Sequence, residues 1–489
     1  MSNTTKRPSY LQAATPLLAL IVMLASSVYI FGADSSYGPN QIALLIAAGI
    51  ATIIAFVNGY RWEEVEEGIT KGISVALGAI LIILMVGSLI GTWLLSGIVP
   101  TLIYFGLEIL SPTWFYAASC LICAIVAISI GSSWTTAATI GVALIGVATG
   151  MELSLAITAG AVVSGAYFGD KMSPLSDTTN LAPAVSGTEL FSHIRYMTLT
   201  AVPAFVIALI LFTIIGFSSS SAANLDSLQV MQDELQSIFN INVFMLIPLA
   251  VLFTMAVMKK PALPTIFVGA LLGGAWALIF QPDVVATLVP ERAAGNWFGP
   301  IAAVWVALFD GTVVATENAD LESLLSGGGM VSMLNTVWLI VSAMTFGAVM
   351  ECTGLLKQLL RGMLKVIHST GQLITATLFT CFGVNVLTAD QYMAIVLPGR
   401  MFREEYANRD LDPRVLSRTL EDSGTITSAL IPWNTCGAYM FAVLGVFPLT
   451  YAPFAFFLYL TPLIAMIYAF TNFKILRLSD NQDRNEAYS

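Results

Sequence analysis

The sequence predicts an all-α polytopic membrane protein with about 10–12 transmembrane helices in two inverted repeats, each with a re-entrant hairpin and a discontinuous helix. Of its 489 residues, 57% are hydrophobic and 10% are charged, whereas soluble domains carry about 25% charged residues. Apolar runs of about 20 residues recur from end to end, and each is long enough to cross a ~30 Å hydrocarbon core. Some runs are longer than one span and contain polar residues, which is typical of hairpins and broken helices.

The composition also excludes several functional classes. The formal net charge is −10 at pH 7, which argues against a nucleic-acid partner. The chain contains neither a Walker sequence nor a dinucleotide fingerprint, so we expect no ATP-driven pump, no enzyme and no cofactor. Cys120 and Cys123 share a CxxC spacing in an apolar segment. Without a second Cys or His pair, this spacing favours small packing residues over a metal site.

The first half of the chain, 1–217, is predicted to contain simple spans, one hairpin and one broken helix. The first span follows Lys6 and Arg7 and is too long for the apolar core of a signal peptide, so we expect it to be retained. A polar run at 131–136 interrupts a long apolar stretch and predicts the hairpin tip, because polar backbone at membrane depth must be buried in protein or line a cavity. The predicted elements are spans at about 11–31, 41–58 and 72–96, an amphipathic piece at about 100–110, a hairpin at about 114–149, a broken helix at about 155–188 and a span at about 196–217.

The second half, 242–489, repeats this order after a polar, acidic stretch at 218–241 that we interpret as a linker loop. Its apolar runs are again interrupted by polar residues at one hairpin and one broken helix. The predicted elements are spans at about 242–258 and 263–280, a polar insertion at 281–329, a span at about 331–350, a basic piece at about 355–367, a hairpin at about 371–398, a broken helix at about 419–447 and a last span at about 451–473.

The distribution of basic residues predicts the orientation. If Lys6 and Arg7 lie in the cytoplasm, Lys259 and Lys260 also fall on that side, which satisfies the positive-inside tendency. Both termini are then cytoplasmic, and the two halves are inverted repeats. The apolar segment 300–318 bears on this result. If it spans the membrane, the orientation of the later half is reversed.

The stretch 165–183, GAYFGDKMSPLSDTTNLAP, is the strongest indication of function. It places Asp170, Lys171 and Asp177 within a predicted span, where charges are expensive and mark a pathway or a binding site. Pro174 lacks an N–H and therefore frees the carbonyl of Asp170. Freed carbonyls and neighbouring hydroxyls can form a hard-oxygen shell for a small cation. The cation- and proton-binding candidates here are Asp177, Asp170, Ser176, Thr178, Thr179 and Asn180.

Asp177 is the carboxylate that we expect to bind the transported cation. A carboxylate taken out of water binds a proton more readily, and a bound cation displaces that proton, so Na+ and H+ compete for it. For Asp170, a structural ion pair with the adjacent Lys171 stays open beside a transport role. His193, beside Arg195 at a predicted helix start, is interpreted as a solvated residue at the membrane interface.

The second half supplies a corresponding set of polar residues. Glu421 and Asp422 are its candidate carboxylates, although a position at a helix start in the interface stays open for both. Pro432 frees the carbonyl of Ser428, while any single hydroxyl can equally be an interhelical hydrogen bond or a kink. The hairpin-tip candidates are Ser132, Ser133, Thr135, Thr136, Asn385, Thr388 and Asp390, and those of the second broken helix are Glu421, Asp422, Ser423, Thr425, Ser428, Asn434 and Thr435.

Two motifs carry a family resemblance. GSSWTTAATIG (131–141), followed by AGAVVSGAYFGDKMSPLSDTTNLAP (159–183), resembles the NhaC-type Na+/H+ antiporter family of the ion transporter superfamily, which includes malate–2H+/Na+–lactate exchangers. The resemblance covers nearly the whole chain and implies a bacterial inner-membrane location and cation-coupled exchange. It also implies that Ser132–Thr136 lie with Ser176–Asn180, and Asn385–Asp390 with Asp422–Ser428 and Asn434–Thr435.

The predicted function is secondary active transport that exchanges cytoplasmic Na+ for external H+, with Na+ bound near Asp177. The alternative is a Na+- and proton-coupled organic acid exchanger, because helix N-termini and hydroxyls can hold a carboxylate without arginine. A hydrolase using Ser132 or Ser133 is disfavoured, since it needs a base at membrane depth. The expected partners are the lipid bilayer, Na+ and H+. Li+ and small organic acids stay open as cargo, and a homodimer as the assembly.

Overall fold

The computed structural model describes residues 6–219, 225–316, 321–322, 325–364 and 367–479, and these residues are almost entirely helical. The β structure in these ranges consists of two isolated bridges, which pair Thr312 with Gly327 and Leu411 with Arg477. The all-α prediction is therefore confirmed.

The membrane class is confirmed as well. Eight helices in the described ranges are long and apolar enough to cross a bilayer, and the number rises to ten if each of two sharply bent pairs is one span. One pair, Gln229–Ile238 and Val243–Val257, bends by 80°, and the other, Thr435–Leu444 and Pro448–Phe454, bends by 86°. The chain is a multi-pass membrane protein, and the upper count meets the lower end of the predicted range.

The helices of the first half follow the predicted order. The segments predicted as a hairpin and a broken helix each divide into separate helices, with a π-helical turn at Ala137–Gly141 inside the first of them. The helices are α1 (Tyr10–Phe31), α2 (Pro39–Val57), α3 (Trp62–Leu95), α4 (Ile98–Ile109), α5 (Phe115–Ile130), α6 (Ser133–Thr136), α7 (Val142–Gly150), α8 (Leu155–Met172), α9 (Asp177–Ser186) and α10 (Leu190–Ser219).

The second half has a similar succession, with a π-helical turn at Glu421–Thr425 and a 3₁₀ turn at Ile426–Leu430 in its broken helix. The helices after residue 219, of which the first lies in the stretch before the second half, are α11 (Leu225–Ile238), α12 (Ile247–Val257), α13 (Ala262–Phe280), α14 (Pro282–Thr287), α15 (Gly299–Phe309), α16 (Gly329–Cys352), α17 (Leu355–Leu364), α18 (Thr370–Thr388), α19 (Gln391–Asn408), α20 (Pro413–Leu420), α21 (Thr435–Leu444), α22 (Pro448–Tyr451) and α23 (Phe456–Thr471).

Two segments differ from their predicted form. The stretch 218–241, predicted as a linker loop, contains the helix α11, which packs against α4 and α7; residues 220–224 lie outside the described ranges. Within 300–318, helix α15 has 11 residues. Its rise of about 16 Å is too short to cross a ~30 Å core alone. Residues 317–318 are also outside the described ranges.

The first hairpin turns at Gly131, between α5 and α6. Gly131 has a φ of +76°, and a Cβ at this position would collide with Leu175, so glycine serves both the turn and the close approach. Ser132 caps α6 and accepts a hydrogen bond from Thr135 N at 3.2 Å. The tip therefore sits against the break between α8 and α9.

The second hairpin has the same relation to the second broken helix. Ala389 adopts a φ of +56°, and Asp390 caps α19 by accepting a hydrogen bond from Met393 N at 2.9 Å. Thr435 N donates a hydrogen bond to Ala389 O at 2.9 Å. Each half thus brings one hairpin tip to one helix break.

The two halves pack together through these elements. Helix α9 contacts α19 and α20 of the second half, and α21 contacts the π-helical turn of the first hairpin. The rings of Trp134 and Tyr439 stack with centroids 4.1 Å apart. The Tyr439 hydroxyl also donates a hydrogen bond to Trp134 O at 2.9 Å. Both tips and both breaks consequently converge in the interior.

Candidate functional site

A cavity of about 880 Å³ lies where the tips and breaks converge. Parts of α3 and α13 complete its wall, and Lys259 and Lys260 also line it. The cavity brings together candidates from both halves of the chain. These candidates are Ser132, Thr135, Asp170, Ser176, Asp177, Thr178, Asn180, Asp390 and Thr435.

Asp177 is the first residue of α9 and is exposed to this cavity. Ser176 caps the helix, and its hydroxyl accepts a hydrogen bond from Thr179 N at 3.4 Å. A carboxylate in a first helical turn is stabilised by the helix dipole. Among the described residues no hydrogen bond or ion pair engages the Asp177 carboxylate, so an entering ion can reach it. Its role as a cation ligand stays a prediction.

Asp170 joins the first broken helix to the first hairpin. Its Oδ2 accepts hydrogen bonds from Ser133 N at 2.9 Å and from Ser133 Oγ at 2.6 Å. An ion pair between Asp170 and Lys171 does not form. Adjacent residues on a helix point about 100° apart, and Lys171 pairs with Asp422 instead.

The carbonyls at the first break are bound by the chain itself. The Thr179 hydroxyl is 3.2 Å from Asp170 O and 3.1 Å from Lys171 O. Asn180 Nδ2 donates a hydrogen bond to Pro174 O at 3.0 Å. The freed Asp170 carbonyl is thus hydrogen-bonded within the chain, and its facing an ion stays a prediction. Side chains hold the break in a defined shape, and the cavity is lined by side-chain oxygens near it.

The second break is organised by two asparagines. Asn434 Nδ2 donates hydrogen bonds to Asn385 O and Oδ1, both at 3.1 Å. Asn385 Nδ2 donates a hydrogen bond to Gly424 O at 2.6 Å. The freed carbonyl of Ser428 accepts a hydrogen bond from Ile431 N at 3.3 Å, so it too is used within the chain. These asparagines tie the tip to the break and lie outside the cavity lining.

Several other candidate hydroxyls bind backbone carbonyls, as the interhelical or kink interpretation allows. Each donates a hydrogen bond of 2.6–2.9 Å and is buried. The pairs are Thr136 with Ser132 O, Thr388 with Val384 O, Ser423 with Leu378 O, and Ser428 with Thr425 O.

A second polar centre, which we call the buried charge cluster, consists of Lys171, Arg418, Glu421 and Asp422, all with fully buried side chains. Lys171 Nζ lies 2.8 Å from Asp422 Oδ1, and Arg418 Nε lies 3.6 Å from Asp422 Oδ2. Thr200 Oγ1 donates a further hydrogen bond to Asp422 Oδ1 at 2.9 Å. Two cations and two carboxylates balance in formal charge, as the interior of a protein requires.

Glu421 and Asp422 do not lie at a helix start in the interface. They follow α20 directly and occupy a π-helical turn, Glu421–Thr425, a distortion that is frequent at functional sites. Neither oxygen of Glu421 has a hydrogen-bond partner among the described residues. Glu421 also makes no ion pair among the described residues, unlike the other three members of the buried charge cluster.

Arg418 and His193 are buried residues whose environment the sequence did not reveal. The Arg418 guanidinium lies in the interior, 4.4 Å from the centre of the Tyr196 ring. His193, predicted to be solvated, is fully buried and hydrogen-bonded to Ser417. A usable signal existed for Arg418 alone, because its spacing of three and four residues from Glu421 and Asp422 places all three on one helix face.

Comparison with known proteins identifies the family. A model of the Na+/H+ antiporter family matches residues 165–473. The chain is 38% identical to the Na+/H+ antiporter NhaC of Alkalihalophilus pseudofirmus, over 93% of this chain and 94% of the relative. It is 37% identical to the malate-2H+/Na+-lactate antiporter of Bacillus subtilis, over 88% and 89%, and 35% identical to the arginine/ornithine antiporter ArcD of Halobacterium salinarum, over 99% and 96%. The chain therefore belongs to the Na+/H+ antiporter family.

Proposed function

We propose that this chain is a secondary antiporter that exchanges cytoplasmic Na+ for external H+. Its family and its relative NhaC support this exchange. We place the ion site in the cavity, because carboxylates from both halves of the chain line it, namely those of Asp170, Asp177 and Asp390. Oxygen ligands of this kind suit small, hard cations.

Asp177 is the group at which Na+ and H+ exchange in this proposal. Its carboxylate is exposed to the cavity, whereas that of Asp170 is engaged by Ser133. Binding of either ion weakens binding of the other, because both neutralise the same charge. The described ranges contain no compact group of three or more His, Cys, Asp or Glu. Hydroxyl groups such as that of Thr178, together with water, therefore complete the shell of a transiently bound ion.

The proposal includes a location and an orientation. The chain lies in the bacterial inner membrane with both termini in the cytoplasm, and 1–217 and 242–489 are inverted repeats. The reciprocal contacts support the repeats, since α9 touches the second half and α21 touches the first hairpin. Lys259 and Lys260 line the cavity, and the positive-inside tendency puts that mouth on the cytoplasmic side.

Everted membrane vesicles test the function. With an acidic lumen established by respiration, added Na+ is expected to dissipate the pH gradient, and Li+ and K+ measure selectivity. Asp177→Asn is expected to weaken apparent Na+ affinity at least about tenfold, or about 1.4 kcal/mol. Asp283→Asn is the matched control, since Asp283 is an exposed first-turn carboxylate of α14 outside the cavity lining. Equal exchange by the Asp177 and Asp283 variants would refute the role of Asp177.

Coupled exchange of an organic acid is the second candidate. The malate-2H+/Na+-lactate relative favours it. Uptake of radiolabelled malate and lactate, each with and without Na+, separates this function from Na+/H+ exchange. A parallel assay with arginine and ornithine covers the cargo named for the third relative.

A further inference from the structure

We propose that Asp422 is a second cation-binding carboxylate. In the wild-type chain the Lys171 ammonium fills the cation position beside Asp422, where Na+ would otherwise bind. This inference rests on the proposed Na+ exchange and concerns how many ions one chain can hold. Asp422 belongs to the second broken helix, and Lys171 lies in the last turn of α8 in the first. Their ion pair therefore joins the two helices whose breaks meet at the cavity.

Charge balance is the first reason for this inference. In the buried charge cluster, the side chains of Lys171, Arg418 and Asp422 are each 0% exposed, and Glu421 is equally buried. With the ammonium present, two positive and two negative groups cancel. Without it, one carboxylate is left uncompensated in the interior, where an unpaired charge is not tolerated. A cation from the medium, either Na+ or a proton, can then replace the lost charge.

The ligand geometry is the second reason. Asp422 Oδ1 is 2.8 Å from Lys171 Nζ, and the same oxygen accepts a hydrogen bond from the Thr200 hydroxyl at 2.9 Å, so a cation at the ammonium position meets a carboxylate oxygen that Thr200 holds in place. Arg418 does not fill this position. Its Nε is 3.6 Å from the other carboxylate oxygen, beyond a normal hydrogen bond. Lys171 is thus the direct occupant.

Access is the third reason. Lys171 follows Asp170, which lines the cavity, and the lysine side chain extends from there to Asp422. A shorter, uncharged side chain at position 171 removes the internal cation from Asp422 and leaves the space of the ammonium beside it. The wild-type chain should consequently bind Na+ in the cavity alone, whereas a variant lacking the ammonium gains a site.

Equilibrium binding of ²²Na+ to the purified full chain tests the proposal. Lys171→Gln is expected to bind one more Na+ per chain than the wild type. Lys171→Arg and the double variant Lys171→Gln/Asp422→Asn are expected to match the wild type, because the first keeps the charge and the second removes its carboxylate. Lys71→Gln is the control, since Lys71 pairs with Glu67 at 2.6 Å on the surface, where the side chains are 75% and 67% exposed.

Each result has a defined meaning. Binding by Lys171→Gln equal to the wild type overturns the proposal, as does an extra Na+ that persists in the double variant. Failure of the wild type to bind Na+ contradicts the proposed function instead. Even if the wild type binds no Na+, an extra Na+ that binds to Lys171→Gln and is lost in the double variant supports the inference.

Loss of a buried charge can unfold the protein, so a second measurement accompanies binding. The Tm of Lys171→Gln is expected to rise more than that of the wild type when choline chloride is replaced by NaCl. If Lys171→Gln is unfolded in both salts, the transposed variant Lys171→Asp/Asp422→Lys is measured; it should fold and bind as many Na+ as the wild type. Extra Na+ in the transposed variant, or its failure to fold, counts against the proposal.

Discussion

At the scale of single residues, the interior of this protein is unusual for the charges it contains. Arg418 and Lys171 are both fully buried, and Asp422 lies between them. Desolvating each ion costs several kcal/mol, which only close partners offset. Such a cluster is therefore sensitive to the loss of one member, whereas exposed ion pairs contribute little.

Arg418→Gln is expected to destabilise the protein by about 3–5 kcal/mol, because it leaves Asp422 and Glu421 with one cation fewer. Denaturant unfolding in detergent measures the effect. Arg409→Gln is the control: Arg409 pairs with Glu405 at 2.7 Å with both side chains partly exposed, and its loss should cost about 0–1 kcal/mol. Similar destabilisation by the two substitutions would contradict the importance of the buried charge cluster.

At the scale of elements, each hairpin tip is fitted to a helix break by specific contacts. The first tip depends on close backbone approach at Gly131, and the second on the hydrogen bonds between Asn385 and Asn434. Both breaks use side chains to satisfy exposed backbone groups, which membrane interiors require. A change in the shape of either hairpin tip is therefore expected to change the cavity that the tips line.

Gly131→Ala is expected to reduce Na+-dependent exchange at least about tenfold, because a Cβ would push the tip away from Leu175 and distort the cavity. Vesicle exchange, normalised to the amount of folded protein, measures this loss. Gly59→Ala provides the control, since Gly59 has a comparable φ of +91° and a Cβ added there would meet no other atom within 4 Å. It should bear the backbone strain of about 1–2 kcal/mol without losing exchange. Full exchange by Gly131→Ala would argue against a fitted tip.

Asn434→Ala is expected to destabilise the second break by about 2–4 kcal/mol. It removes a helix cap, in which Asn434 Oδ1 accepts a hydrogen bond from Cys436 N at 3.0 Å, and leaves buried groups of Asn385 without a partner. Asn242→Ala removes a cap, the bond of 3.0 Å from Phe244 N, together with an exposed hydrogen bond to Asn240, and should cost about 1 kcal/mol. Thermal or denaturant unfolding compares the two, and an equal loss would show that only the cap matters.

At the scale of the whole molecule, the cavity opens between α3, α13 and the broken helices. Its lining joins residues that lie far apart in the sequence, so a relative movement of the two halves would change access to Asp177. We propose that the described conformation faces the cytoplasm, because Lys259 and Lys260 line the cavity.

Thiol labelling tests this orientation. In a Cys352→Ala background, in which the remaining native cysteines are buried, Asn180→Cys should react with an impermeant maleimide from the cytoplasmic side. Glu152→Cys, in the exposed turn between α7 and α8, should react from the opposite side. Reaction of Asn180→Cys from the external side alone would reverse the proposed orientation.

The sequence by itself determined the membrane class, the order of the helices and the positions of the polar interruptions. These are local properties, because about 20 consecutive apolar residues suffice for a span, and a proline or a polar run marks a break where it occurs. Asp170, Asp177 and Asp390 were accordingly selected as candidates from their position within apolar runs, and all three line the cavity.

Only the tertiary structure decided which polar groups meet. Lys171 pairs with Asp422, and His193 with Ser417, across the two halves of the chain. No local pattern specifies such partners, since each pair depends on how the hairpins and broken helices pack. The same packing buried Arg418. Charge in the interior is tolerated only where another element supplies its partner, and that partner is a property of the fold.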